Sequence, residues 1–302
     1  MMFGFKQMLT IFTTIKNESA SILEWLAFHK LQGFQHFLLG IDQCSDNTKE
    51  LIENSQFADN CELIDLQQEK FKVDNSSLAY PIANRQTLFL NHAIEILKER
   101  QAEWALAIDV DEYVYSPLGW NLIDILGDYP EAGVIVCERV FGSGGLQTRP
   151  NGSLVIETFT KHVADDLDLS GAFEHSAIDP GYFKTFIRPS QVIGYTNSHS
   201  PATKSHIVYE DHAKRRMSNG TDRTKRRPSK ILRLNHYFTQ DRAHWEAKIE
   251  RGRISGVSRY DEKLYQIYDQ AGYEDNYLKH HWVNKVRALL QQDTGQTNDP
   301  VI

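Results

Sequence analysis

Trp104-Ala105-Leu106-Ala107-Ile108-Asp109-Val110-Asp111-Glu112-Tyr113 is the stretch on which the reading of this chain turns. Its first five residues are apolar, and a short run without polar alternation fits a strand buried on both faces. Two aspartates one residue apart follow at once. In extended backbone, residues i and i+2 point to the same side, so this spacing predicts that Asp109 and Asp111 converge on one hard cation. Carboxylate oxygens suit Mg²⁺ or Mn²⁺, and such an ion neutralises a departing diphosphate. Asp166-Leu167-Asp168 has the same spacing but no apolar run before it, and reads as a pair of solvated carboxylates.

Outward toward the N-terminus, strand and helix patterns alternate. Residues 8–15 and 36–41 read as strands, as do 61–66. Leu23, Leu26, Ala27 and Leu31 recur at helical spacing until Gly33, and Leu90, Ala93, Ile94 and Leu97 form a second helical stripe. This order predicts an α/β fold with a mixed, mainly parallel sheet flanked by helices. Ligands of such sheets lie beyond the carboxyl ends of the strands, which selects the loops at 16–19, 42–47 and 109–113. Asp42, at a strand end, is placed to meet a base or ribose. Asp46 and Asn47 read as turn and helix-capping residues. Asn84 and Arg85 open the second helix, where Arg85 can hold a nucleobase or phosphate.

Toward the C-terminus, residues 134–140 read as a strand running into Phe141-Gly142-Ser143-Gly144-Gly145. That turn lacks the Lys-Ser/Thr of a P-loop, but Gly142, Ser143, Gly144 and Gly145 let backbone N–H groups approach a ligand. Residues 154–162 and 182–188 read as further strands, with Asn151-Gly152 as a hairpin turn. A short strand at 231–234 precedes Asn235-His236-Tyr237. Helices are expected over about 241–251, 260–270 and 276–291.

Composition narrows the function. The 302 residues include 33 basic and 40 acidic side chains, a net charge of −7, and 11% aromatic residues argue against disorder. Residues 213–230 carry eight basic side chains against Asp222 alone, a local excess of +7 that leaves −14 on the rest. An acidic body argues against a nucleic-acid binder. The basic segment reads as a solvated loop, a lid over a diphosphate, or a peripheral patch for anionic lipid headgroups or a lipid-diphosphate acceptor. No uncharged apolar run is long enough to span a bilayer, and the N-terminal run reads as a strand rather than a signal peptide. Cys44, Cys61 and Cys137 lack metal spacing and favour a reduced, cytoplasmic setting.

These blocks resemble a family. Lys16-Asn17-Glu18, Leu23-Glu24-Trp25-Leu26-Ala27-Phe28-His29 and Gly33-Phe34 resemble the opening of family-2-like and family-92-like glycosyltransferases. Asp42-Gln43-Cys44-Ser45-Asp46-Asn47-Thr48 is similar to their nucleotide loop, one residue shorter. Trp104 to Glu112 resembles their D-x-D-E strand. Phe141-Gly142-Ser143-Gly144-Gly145, the Lys184 to Pro189 block, Asn235-His236-Tyr237 and Arg251-Gly252-Arg253 follow in family order.

The resemblance implies a GT-A (Rossmann-like) domain over residues 1–240, its nucleotide half about 1–115 and its acceptor half about 116–240. A C-terminal helical extension, 241–302, packs on the same unit. It implies a metal-dependent, generally inverting transfer of a sugar from a nucleoside-diphosphate sugar to a glycan or lipid-linked acceptor, in polysaccharide or glycan biosynthesis. Asp109, Val110 and Asp111, with Lys16, Asn17, Glu18, Asp42 and Arg85, would bind the sugar nucleotide. Asp109, Asp111 and His236 would hold Mn²⁺ or Mg²⁺. Inversion needs a carboxylate base, and with no Glu-Asp pair in the family's place, Glu138, Glu174 and Asp179 are the candidates. Two other classes compete: a haloacid-dehalogenase-type phosphotransferase using Asp109 as nucleophile, and a non-catalytic nucleotide-sugar-binding module.

Overall fold

A computed structural model describes residues 8–72, 85–165, 183–196, 199, 201–211, 214–215, 228–251, 262–269 and 272–292. In the N-terminal half, β1 (Leu9–Ile15), α1 (Ile22–Leu31), β2 (His36–Ile41), α2 (Thr48–Glu53), β3 (Cys61–Asp65), α3 (Arg85–Glu99) and β4 (Trp104–Ala107) follow one another. β1 pairs in parallel with β2 and with β4, and β2 pairs in parallel with β3. The order β3-β2-β1-β4 is that of the first half of a Rossmann-type sheet. Every residue of β1 is buried because the sheet is covered twice. Ile11 and Ile15 face the cluster that holds Trp25 and Phe28 of α1, while Phe12 faces the one that holds Phe89 and Leu90 of α3.

The second half departs from the parallel pattern. It contains β5 (Glu112–Tyr115), α4 (Leu122–Gly127), β6 (Gly133–Val140), α5 (Val155–Thr158), β7 (Lys161–His162), β8 (Phe183–Ile187), β9 (Val192–Tyr195), β10 (Pro201–Thr203), β11 (Ile207–Tyr209), β12 (Lys214–Arg215) and β13 (Arg233–His236). β8 lies antiparallel between β4 and β6 and joins the two halves into one mixed sheet. The chain then runs through α6 (Arg242–Arg251), α7 (Glu262–Asp269), β14 (Tyr273–Glu274), α8 (Tyr277–His281) and α9 (Val283–Gln291). The helix expected over 276–291 is broken at Trp282, which separates α8 from α9. No helix among the described residues is long and apolar enough to cross a membrane, and Cys44, Cys61 and Cys137 are thiols rather than disulfides.

β6 has different partners along its length. Residues 133–137 pair with β8, whereas Glu138, Arg139 and Val140 pair with Leu234, Asn235 and His236 of β13. β13 pairs on its other side with β5, setting His236 opposite Glu112. At the start of β6, a Cβ on Gly133 would lie 2.6 Å from the carbonyl oxygen of Phe186, a backbone atom that cannot turn aside. Gly133→Ala is therefore expected to destabilise the protein by about 1–3 kcal/mol, as overpacking does. Chemical denaturation measures it, and an unchanged midpoint would contradict this account of the β6–β8 approach.

The expected strand over 154–162 is instead the short helix α5 followed by β7. The cause lies 131 residues away: the buried Glu24 carboxylate accepts the Val155 and Ile156 N–H groups at 2.7 and 3.1 Å. Free N–H groups at a helix start need such acceptors. Glu24 nevertheless has its pKa pushed up to about 7, because burial outweighs those two donors.

Two more residues of α1 tie it to β5. The Trp25 indole N–H donates to the Glu112 carbonyl at 2.9 Å, and the Val114 N–H donates to His29 Nε2 at 3.3 Å. His29 Nδ1 then carries the proton and donates to the Trp25 carbonyl at 2.9 Å. Burial takes the His29 pKa down to about 3. The unfolded chain takes up this proton near pH 6.5, so between these values it binds more protons than the folded chain, and stability falls as the pH drops. From pH 7 to pH 5 this amounts to about 2 kcal/mol. Urea unfolding at both pH values should show that extra loss in the parent and not in His29→Gln; parallel pH slopes would refute the assignment.

Candidate functional site

The loops after β1, β2 and β4 lie on one edge of the parallel sheet. At the end of β1, Asn17 adopts a left-handed conformation (φ 54°), one that asparagine tolerates better than most residues. Its side chain exchanges hydrogen bonds with Ser45, donating to Oγ at 3.0 Å and accepting the Ser45 N–H at 2.7 Å. The Glu18 N–H donates to Thr48 Oγ1 and the Ser19 N–H to the Asp46 carboxylate. Asp46 also accepts the Thr48 N–H at 3.1 Å, the capping role expected of it at the start of α2. The 16–19 and 42–48 loops are thus bound to each other.

Asp42 is fully buried at the end of β2 and is paired with Arg85 at the start of α3. Arg85 Nε stands 2.9 Å from Oδ1, and Nη2 donates to Oδ2 at 3.2 Å. Only the arginine keeps exposure, 31% of its side chain. The side chain that the two present to a ligand is therefore Arg85, with Asp42 holding it.

Around Asp109 the backbone is not the extended strand that the i, i+2 argument assumed. β4 ends at Ala107, and Asp109 to Glu112 form a turn closed by the Glu112 N–H donating to the Asp109 carbonyl at 3.0 Å. The Asp109 N–H, freed from the ladder, donates to Glu112 Oε2 at 2.8 Å. Glu112 then starts β5, an element that the sequence reading had absorbed into the loop. The Val110 side chain lies in the core. Each aspartate finds its own lysine: Lys184 Nζ of β8 donates to Asp109 Oδ2 at 3.0 Å, and Lys248 Nζ of α6 donates to Asp111 Oδ2 at 2.7 Å.

Beside them the strand pairing described above assembles a second group. His236 Nδ1 lies 2.9 Å from Glu138 Oε2 and 3.8 Å from Glu112 Oε1, and its Nε2 lies 3.5 Å from Asp111 Oδ1. One ligand atom each from Glu112, Glu138 and His236 falls within 4.8 Å of the other two. Glu112 Oε1 and Glu138 Oε1 are buried with no hydrogen-bond partner among the described residues. Buried carboxylate oxygens without donors are costly, and a hard cation satisfies them. With His236 as nitrogen donor and Asp111 alongside, these residues fit Mn²⁺ or Mg²⁺.

The electrostatics follow from this crowding. Burial opposes ionisation of Asp111, but Lys248 and His236 hold its carboxyl well below the usual range. Lys184 lowers Asp109 in the same way, also against burial. Glu112 is pushed up to about 8 by burial, with the Asp109 and Glu138 carboxylates adding to the effect. His236 is raised well above its ordinary value, because the Asp111 and Glu138 carboxylates outweigh its burial.

Of the residues singled out from the sequence, Asp109, Asp111, Glu138 and His236 come together here. Lys16 to Glu18, Asp42 and Arg85 lie on the same sheet edge. In the glycine turn, Gly144 and Gly145 have φ of 62° and 84°. Ser143 binds the Asp269 carboxylate of α7 through its N–H and its hydroxyl, and its Oγ accepts the Gly145 N–H at 2.8 Å. Ser143 is buried by these contacts. Glu174 and Asp179 lie outside the described residues, as do Asn84, the Asp166-Leu167-Asp168 pair and most of the basic segment. Lys248 was missed, and Glu112 and Lys184 entered only as parts of a resemblance. Glu112 alone carried a local signal, as the acid next to the aspartate pair.

Comparison with known proteins adds to the geometry. The family model described as "Glycosyltransferase family 92" matches residues 13–270. A glycosyltransferase family 92 protein of Ricinus communis is 29% identical over 148 residues, 47% of this chain and 24% of that protein. Among solved structures, residues 1–349 of S. aureus TarS are 13% identical over 61% of this chain and 47% of that one, with a TM-score of 0.34. Glucosyl-3-phosphoglycerate synthase from Mycobacterium tuberculosis is 10% identical over 64% of this chain and 62% of that one, with a TM-score of 0.32. The chain spans about a quarter of the length of the Ricinus relative and about half that of the TarS fragment.

Proposed function

The chain belongs to glycosyltransferase family 92, and we propose that it transfers a sugar from a nucleoside-diphosphate sugar to a hydroxyl acceptor with the help of a divalent cation. The observation that carries this is the convergence of Asp111, Glu112, Glu138 and His236 at the carboxyl edge of the sheet, with two buried carboxylate oxygens that lack donors among the described residues. A cation held by these residues would take up the charge that develops on the leaving diphosphate. A phosphotransferase with Asp109 as nucleophile is set aside by the family.

The protein's own residues divide the remaining work. Arg85, half-exposed and oriented by Asp42, faces the nucleotide as a fixed cationic plane. The linked 16–19 and 42–48 loops form the floor for the nucleoside. Lys184, buried between Asp109 and Glu112, keeps these acids in place. Of the base candidates read from the sequence, Glu138 is the one among the described residues, and there it accepts a hydrogen bond from His236 and belongs to the cation cluster. The acceptor is a glycan or lipid-linked hydroxyl, and the pathway is glycan or polysaccharide assembly at the cytoplasmic side.

A thermal-shift screen of UDP-, GDP-, CMP- and dTDP-sugars with and without Mn²⁺, followed by nucleotide release from the donors that bind, tests the reading. One nucleotide class should stabilise the protein in a Mn²⁺-dependent way and be released on turnover. Tight Mn²⁺-dependent binding with no release from any donor would instead make this a binding module.

A further inference from the structure

Lys248 has no part in the reaction as described, yet it is set deep in the site. Its side chain is 5% exposed. Its ammonium donates to Asp111 Oδ2 at 2.7 Å and to the Phe238 carbonyl at 2.9 Å, and lies 4.4 Å from the centre of the Phe238 ring. A carboxylate, a carbonyl oxygen and an aromatic face together make a seat for a positive charge. The other Asp111 oxygen faces His236 at 3.5 Å. Both oxygens of this aspartate are therefore engaged by groups of the protein.

We propose that Lys248 is a resident competitor of the divalent cation, holding Asp111 so that the donor-free enzyme binds the ion weakly. This rests on the cation-site reading above. Like charges a few ångströms apart repel strongly where water is scarce. An ion that takes an oxygen of Asp111 must therefore displace the ammonium or sit beside it. A purely structural lysine, docking α6 against the strand ends, would behave in the opposite way. Its removal would loosen Asp111 and weaken the ion's hold, or leave it unchanged.

Mn²⁺ binding to the donor-free 302-residue chain, followed by the loss of the free-ion EPR signal, separates the two. Lys248→Met is expected to bind Mn²⁺ at least about tenfold more tightly than the parent, and Lys248→Arg, which keeps the charge, as weakly as the parent. In thermal melts without nucleotide, Mn²⁺ should raise the midpoint of Lys248→Met by more than that of the parent, because the ion then replaces a missing countercharge. If Lys248→Met does not fold, Lys248→Gln is read by the same criteria. Equal or weaker Mn²⁺ binding in the charge-removed variant overturns the proposal. Asp111→Asn keeps that failure distinct. If the parent binds Mn²⁺ and loses it in Asp111→Asn, the cation site stands and only the competitor role falls. If no variant binds Mn²⁺, both fall together.

Discussion

Asp111→Asn is expected to lower nucleotide release from the donor by at least about 100-fold, in line with the loss of a group that stabilises transition-state charge. The substitution preserves shape and removes only the charge. Asp111 is 13% exposed and stands between Lys248 and His236, so an asparagine removes a negative charge that both of these side chains face. Its carboxyl, held ionised far below the usual range, supplies negative charge to the site at any working pH. Neither the removed charge nor the site's hold on a divalent ion can be recovered by hydrogen bonding alone. Chelation of divalent ions should reduce the parent enzyme to a similar level and change the variant little. Far-ultraviolet circular dichroism guards against misreading an unfolded variant. If folded Asp111→Asn retains parental release across the donor panel, Asp111 has no place in the reaction.

The second large effect concerns stability. Glu138 points to the site, and its neighbour Arg139 points to the other face of β6, as alternation along a strand requires. There Arg139 donates twice to Asp165, through Nε at 2.9 Å and Nη2 at 2.6 Å, and once to Asp275 through Nη1 at 2.6 Å. Arg233 of β13 also donates to Asp275, at 3.1 Å. Asp275 in turn accepts the Tyr277 N–H at the start of α8, at 2.9 Å, and its own N–H donates to the Thr160 carbonyl. One guanidinium thus joins two strands, the segment after β7 and the C-terminal helices. Arg139→Met keeps the length of the side chain but strands two largely buried carboxylates. Breaking such a buried set from one side costs about 3–5 kcal/mol. Urea unfolding should show a loss of that size, and a loss below about 1 kcal/mol would mean that the acids are adequately solvated without Arg139.

Much of the nucleotide half was legible because its signals are local. β1 to β4 are short apolar runs separated by helical stripes, and the edge rule for parallel strands pointed to the loops that the structure places together. What was not legible depends on distant partners. Residues 154–158 have a strand-like pattern, but the Glu24 carboxylate, contributed by α1, accepts the N–H groups that open a helix there. The Asp109–Glu112 turn follows from Glu112 capturing the Asp109 N–H, and Glu-Tyr-Val-Tyr becomes a strand because β13 arrives beside it. Lys248 could not be singled out at all: an interior lysine of a polar helix looks like any solvated one until α6 docks. The opening of α1 was recognisable as a motif, and the structure supplies its physical content. Glu24 caps α5, Trp25 holds the Glu112 carbonyl, and His29 accepts the Val114 N–H.

The pairing of β13 between β5 and β6 also bears on how the molecule comes into being. His236 meets Glu138 across 98 positions of chain, and Lys248 meets Asp111 across 137. Contacts of such separation carry a larger loop-closure cost than local ones. During synthesis Asp109, Asp111, Glu112 and Glu138 emerge before His236 and Lys248, so these pairings wait for the later segment to leave the ribosome. A chain truncated before α6 would carry these carboxylates without Lys248.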